Sequence, residues 1–183
     1  MRADAPETVR PMLSRIRHHL PDGGALRHGL PAISFALPDV VAEVGAAERA
    51  TRCLVGQDVC ILDGTRYYVR CRLAVPILDY EEPLVWMIWC RVSWRTCAAI
   101  SSAGKFGGEE RHVTAEGLLA NRLADFPRTD GLASTIRFRN TGGQAEARIN
   151  SERHKLGRLQ RHGMTASDAI AQARRSGALL VFG

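Results

Sequence analysis

The chain has 183 residues, 45% of them hydrophobic and 24% charged, which is enough apolar material for one packed domain and too much for a disordered chain. No apolar run approaches the ~20 residues that cross a bilayer, and the acid-bearing N-terminus lacks an apolar signal core, so the expectation is a cytoplasmic protein with no membrane partner. The formal charge of +6 is uneven: residues 1–133 hold 16 basic and 16 acidic side chains, whereas residues 134–183 hold nine basic ones against Glu146, Glu152 and Asp168. Such asymmetry fits an acidic or nucleic-acid partner; a ratio of 23 Arg to 2 Lys fits GC-rich coding equally well.

Residues 1–27 read as a helical appendage. Val9, Met12, Leu13, Ile16 and Leu20 recur at helical spacing, and the run Pro21 to Gly24 stops the pattern. Residues 28–183 read as a single α+β domain, a mainly antiparallel sheet of about five strands with flanking helices. Asp39, following Pro38, is the expected N-cap of a helix running through residue 50, with Gly45 as its weak point. Cys53 to Leu62 is β-rich, and Asp63-Gly64 is a hairpin signal. From Tyr67 to Val75, apolar odd positions alternate with Tyr68, Arg70, Arg72 and Ala74, which predicts a half-buried strand with a basic face. After a turn at residues 79–83, the run to Val92 lacks alternation and suits a central strand covered on both faces. Ser93 is placed to cap a helix ending near Gly104. Residues 101–116 read as a polar loop. A second hairpin follows, in which Ile136 and Phe138 alternate with Arg137 and Arg139, then Ala145, Ala147 and Ile149 with Glu146 and Arg148. Thr165 with Asp168 opens a last helix, which ends on Arg174, Arg175 and Gly177.

Motifs for catalysis are absent. No G-x-x-x-x-G-K-[ST] loop joins a strand to a helix, no G-x-S-x-G elbow occurs, and no two histidines or cysteines have close metal-ligand spacing. The five cysteines read as buried, reduced thiols that pack as small hydrophobes. Glu81-Glu82 and Glu109-Glu110 are adjacent turn residues that point apart, unlike the facing carboxylates of a glycosidase. No cofactor and no metal is expected. The residues left with binding chemistry are the strand arginines Arg70, Arg72, Arg91, Arg137, Arg139 and Arg148, whose guanidinium forks suit carboxylates or phosphates. The competing account is a solvated face laced with ion pairs to Glu146.

Several stretches resemble the uncharacterised bacterial family DUF2199. They are Gly29–Asp39, Gln57–Ile77, Glu81–Ser93 with Trp86 and Trp89, Gly117–Leu132 and Glu152–Thr165. Members of that family usually begin with a C-x-x-C-G-x-x-H-like element. The corresponding stretch Leu20–Arg27 keeps Gly24 and neither cysteine, so no metal role is carried over. Lys155 also stands where a proline usually follows the late histidine, here His154. The resemblance implies a bacterial origin and brings no activity. The leading expectation is a non-enzymatic module that binds a protein, as an immunity or accessory protein binds a toxin or effector. The alternatives are nucleic-acid binding through the basic C-terminal region and, more weakly, a small enzyme or a degenerate metal protein.

Overall fold

A computed structural model of the chain describes residues 30–103, 112–141 and 143–176. The expected N-terminal appendage, the Gly177 stop and the apolar tail lie outside them. Among the described residues, eight strands form one sheet: β1 Ile33–Ser34, β2 Cys53–Val55, β3 Val59–Leu62, β4 Arg66–Val75, β5 Leu84–Val92, β6 His112–Leu119, β7 Ala133–Arg139 and β8 Ala145–Ile149. Five helices accompany them: α1 Asp39–Ala42, α2 Ala46–Arg52, α3 Trp94–Ala103, α4 Lys155–His162 and α5 Ala166–Arg175.

The strands β4 to β8 pair in chain order as an antiparallel meander. Five next-neighbour strands alternate in direction, so the first and the fifth run the same way. When β8 meets β4 the closing ladder must therefore be parallel, and it is: Cys71 pairs with Ala145 and Arg72 with Glu146. The result is a closed five-stranded barrel. The remaining strands extend it, β1 lying parallel to β5 and the β2–β3 pair continuing from β4. The α+β class stands, but the sheet is mixed and larger than the five strands expected.

Period-two alternation sorts β4 between two environments. Val69, Cys71, Leu73 and Val75 turn inward and are fully buried, while Arg70 and Arg72 turn outward. Facing them inside are Leu84, Trp86, Ile88 and Cys90 of β5, with Ile136, Ala147 and Ile149 from the far wall. Trp86 meets Phe126 edge-on, with ring centroids 6.1 Å apart and planes at 81°. Trp89, three residues on, faces the opposite way. It packs with Val41, Cys60, Leu62 and Tyr68 in a second cluster beneath α1. Both tryptophans are 1% exposed, so they are packing residues, and β5 is covered on both faces as its unbroken apolar run implied.

Three expectations need correction. The helix predicted from Asp39 through residue 50 is two helices, broken at Val44-Gly45, where Gly45 becomes the N-cap of α2. Pro38, not Asp39, occupies the first N-cap. The Asp39 carboxylate is used elsewhere, accepting from Asn121 Nδ2 at 2.8 Å and from the Arg122 amide at 2.7 Å. Asn121, fully buried, in turn accepts from the Trp89 amide at 2.8 Å, so one polar chain pins α1 to β5. Finally, the loop expected over 101–116 contains most of β6. Its inward positions include Ala115 and Gly117, too small to show as an apolar alternation. Gly117 suits the close approach there, because a Cβ would stand 3.0 Å from Ile136 Cγ1 and 3.2 Å from the Arg91 carbonyl oxygen and press both aside.

Other local expectations agree with the structure. Asp63 and Gly64 both have positive φ (54° and 65°), the hairpin geometry their types favour. Ser93 Oγ accepts from the Thr96 amide at 3.1 Å at the start of α3. Thr165 accepts from the Asp168 amide at the start of α5.

Candidate functional site

The parallel seam between β4 and β8 is short, and α4 completes it. Beyond the Arg72–Glu146 pair the strands separate, and the Gln160 side chain enters the gap. Its amide nitrogen donates to the Ala147 carbonyl at 3.0 Å and the Ala74 carbonyl at 3.3 Å, and its oxygen accepts from the Ile149 amide at 2.7 Å. One side chain thus satisfies three backbone groups that a longer ladder would pair. The helix lies close because Gly157 has no side chain: a Cβ there would stand 2.0 Å from the Ser151 carbonyl oxygen.

Over this seam, on the outside of the barrel, runs an open groove of about 500 Å³. Arg72 of β4, Arg137 of β7, Arg148 of β8 and Arg161 of α4 line it, with Ala74, Ala147 and Thr135 among its floor residues. The pairing registers explain the convergence. Arg72, Glu146 and Arg137 are direct cross-strand neighbours in one row, so all three project from the same face. Arg72 Nη1 lies 3.5 Å from Glu146 Oε1, a single long contact to a carboxylate whose side chain is 64% exposed. Arg161 is held by Glu152 at 3.5 Å. Among the described residues, neither Arg137 nor Arg148 has an ion-pair partner. Guanidinium groups are always charged, so the groove presents four cations, with the Glu146 carboxylate between two of them, Arg72 and Arg137.

Three of the six arginines singled out in the sequence therefore meet, and three do not. Arg70 donates to Ser34 Oγ on β1. Arg91 lines a separate cleft with Arg66, Ser93 and Glu116. Arg139 ends β7 opposite His112, away from the groove. The ion-pair account holds for Arg72 and leaves Arg137 and Arg148 unexplained. Sequence reasoning missed Arg161 and Gln160 because it assigned no helix to 155–162. The signals were there: Leu156 and Leu159 at helical spacing, basic residues near the end of the run, and a glycine, Gly163, just past it, which the structure makes the C-cap.

The thiols offer no comparable chemistry. All five cysteines are free. Burial pushes Cys60 up to about 11 and raises Cys97. A hydrogen bond with Cys90, together with burial, holds Cys71 well above the ordinary thiol value. These groups are protonated near neutral pH, the opposite of an activated nucleophile. Among the described residues, no three His, Cys, Asp or Glu side chains gather as a metal site, and no helix is long and apolar enough to cross a membrane.

Residues 21–164 match the family described as uncharacterized protein conserved in bacteria, DUF2199. No curated protein and no solved structure matches the chain.

Proposed function

The chain belongs to the bacterial family DUF2199, and we propose that it is a non-enzymatic binding module whose arginine groove receives an acidic stretch of a protein partner. An immunity or accessory role, in which the bound partner is a toxin or effector, is the form of this reading that suits a small scaffold. The observation that supports it is the convergence of Arg72, Arg137, Arg148 and Arg161 on one groove, two of them without an ion-pair partner among the described residues. Forked donors of this kind recognise carboxylates with defined geometry.

Nucleic acid is the alternative polyanion, and the lining of the groove speaks against its single-stranded form. Single-strand binders stack bases on aromatic side chains, and no aromatic residue lines this groove. The test is affinity capture with the tagged full chain, expressed with its genomic neighbours, beside an Arg72→Gln, Arg137→Gln, Arg148→Gln triple variant. A protein retained by the wild type and lost by the variant supports the reading. Retention of only the monomer, or equal capture by both, overturns it.

A further inference from the structure

Two of the four arginines flank a carboxylate: Glu146 stands between Arg72 and Arg137. We propose that Glu146 is a built-in competitor, a carboxylate of the chain itself that occupies the place where a carboxylate of the acidic partner segment binds. This inference rests on the protein-binding reading above and specifies how that site is regulated.

Glu146 is the cross-strand neighbour of Arg72 on one side and of Arg137 on the other. Its contact with Arg72 is one N–O approach of 3.5 Å, beyond the 2.7–2.9 Å of a strong charge-assisted bond. Exposed pairs of that quality add little stability. Glu146 therefore offsets one of the two charges of the row without closing it: the fork of Arg72 is unsaturated, and Arg137 is unpaired among the described residues. A carboxylate delivered by a partner would meet Arg72 and Arg137 together. Glu146, 64% exposed, is free to swing to solvent as the incoming group takes its place. Because no aromatic side chain lines the groove for base stacking, the occupant is an acidic peptide segment and not a phosphate backbone.

The cost of displacing a weak exposed ion pair, with the residual repulsion between like charges, corresponds to about a fivefold loss of affinity. Removing the competitor should return it. The probe is a blocked hexaglutamate peptide, titrated at low salt into the wild type, Glu146→Gln and Glu48→Gln. The last variant removes the same single charge from α2, where Glu48 pairs with Arg52 outside the groove. An oligothymidylate of equal charge is run in parallel. The expected result is peptide binding about fivefold tighter in Glu146→Gln and unchanged in Glu48→Gln. Peptide binding seen only in Glu146→Gln supports the inference as well. If the wild type binds the peptide and Glu146→Gln binds it no tighter, the competitor idea is overturned and the protein-binding reading survives. Equal tightening in both variants reduces the effect to net charge and also overturns it. Absence of peptide binding in every variant, or tighter binding of the oligothymidylate throughout, removes the protein-binding reading and the inference with it. Since Glu146 is exposed, the glutamine variant should keep the wild-type melting temperature.

Discussion

Strand β4 has two kinds of neighbour, and they are built on different principles. Against β5 it forms nine consecutive antiparallel residue pairs, Tyr67–Val92 to Val75–Leu84. Against β8 it forms two parallel pairs, Cys71–Ala145 and Arg72–Glu146, and a glutamine from α4 completes the gap. The first junction joins segments adjacent in sequence and is held by backbone and buried side chains. The second joins segments 74 residues apart at the Arg72–Glu146 contact and depends on a polar side chain. The candidate site lies over the second. Closing a barrel of five meandering strands concentrates the irregularity at one seam, and that seam is where charged side chains of three strands and a helix come together.

The severest way to break the hairpin side is Trp86→Ala. Trp86 is 1% exposed and contacts Phe126 edge-on inside the barrel. Truncating it removes the largest side chain of that core and leaves a cavity, at a cost of about 4 kcal/mol. Denaturant unfolding should show the loss as a lower midpoint with an unchanged slope. A loss below about 1 kcal/mol would mean that the barrel interior is not the main source of stability.

Gln160→Leu attacks the seam with a side chain of similar size. It leaves the Ile149 amide and the Ala147 and Ala74 carbonyls without their shared partner, and unsatisfied backbone groups carry a penalty of about 2 kcal/mol in total when partly solvated. The sharper readout is amide hydrogen exchange. Ile149 should exchange faster, while amides of the β4–β5 ladder, Val69, Cys71 and Leu73, keep most of their protection. Equal acceleration on both sides of β4 would show that the seam and the ladder open as one unit, with no difference between the two junctions.

The same contrast explains what was readable in the sequence. The strands β4, β5, β7 and β8 announce themselves through Val69-Cys71-Leu73-Val75, the unbroken run to Val92, and the alternation about Ile136 and Ala147. Asp63-Gly64 announces the hairpin turn because turn geometry is decided by the two residues that adopt it. The strand β6 was hidden because Ala115 and Gly117 face inward, where closeness of backbones and not side-chain bulk is needed. The helix α4 was hidden by Gly157, which lowers helix propensity yet is demanded by the approach of Ser151. The seam itself has no local signature. The parallel direction of the closing ladder follows from the parity of the meander, and its completion from Gln160, neither visible in a window of sequence. For the site, period-two alternation identified Arg72, Arg137 and Arg148 as outward-facing, but the same rule also named Arg70, Arg91 and Arg139. Facing outward is a property of one strand, whereas convergence is a property of the closed barrel.

Asp63 provides a test of the hairpin side that does not disturb the core. It accepts from Arg52 at 2.8 and 3.0 Å and from Arg66. These hydrogen bonds, Arg52 first, lower its carboxyl to about 2, below the usual value. A depressed carboxyl pKa stabilises the fold above the unfolded-state value, and that contribution disappears as pH falls through the folded-state one. Asp63→Asn keeps a residue type that tolerates positive φ and removes the charge. The wild type should therefore melt above the variant at pH 6, with the difference shrinking below pH 4 and mostly gone by pH 2. A difference undiminished at pH 2 would assign the effect to the turn backbone and not to the ion pairs. Exposure of this cluster keeps the shift modest.

The smallest stability effect should fall on the side chains with the largest proposed role. Arg137 and Arg148 are exposed, at alternating positions whose inward neighbours Ile136, Ala147 and Ile149 carry the packing. Neither has an ion-pair partner among the described residues. Replacing either by Gln removes no buried area and breaks no ion pair, so the unfolding free energy should move by no more than about 0.5 kcal/mol. It should rise, if anything, because relieving repulsion among four neighbouring guanidinium groups favours the folded state. Binding of an acidic peptide should fall in both variants, and its decline with added salt should become shallower as each cation is removed. Charge retained against like-charge repulsion, with no structural return, is what separates a binding surface from a solvated one. If Arg137→Gln and Arg148→Gln instead destabilise the chain by 1 kcal/mol or more, these arginines are structural, and the groove loses its claim to be a site.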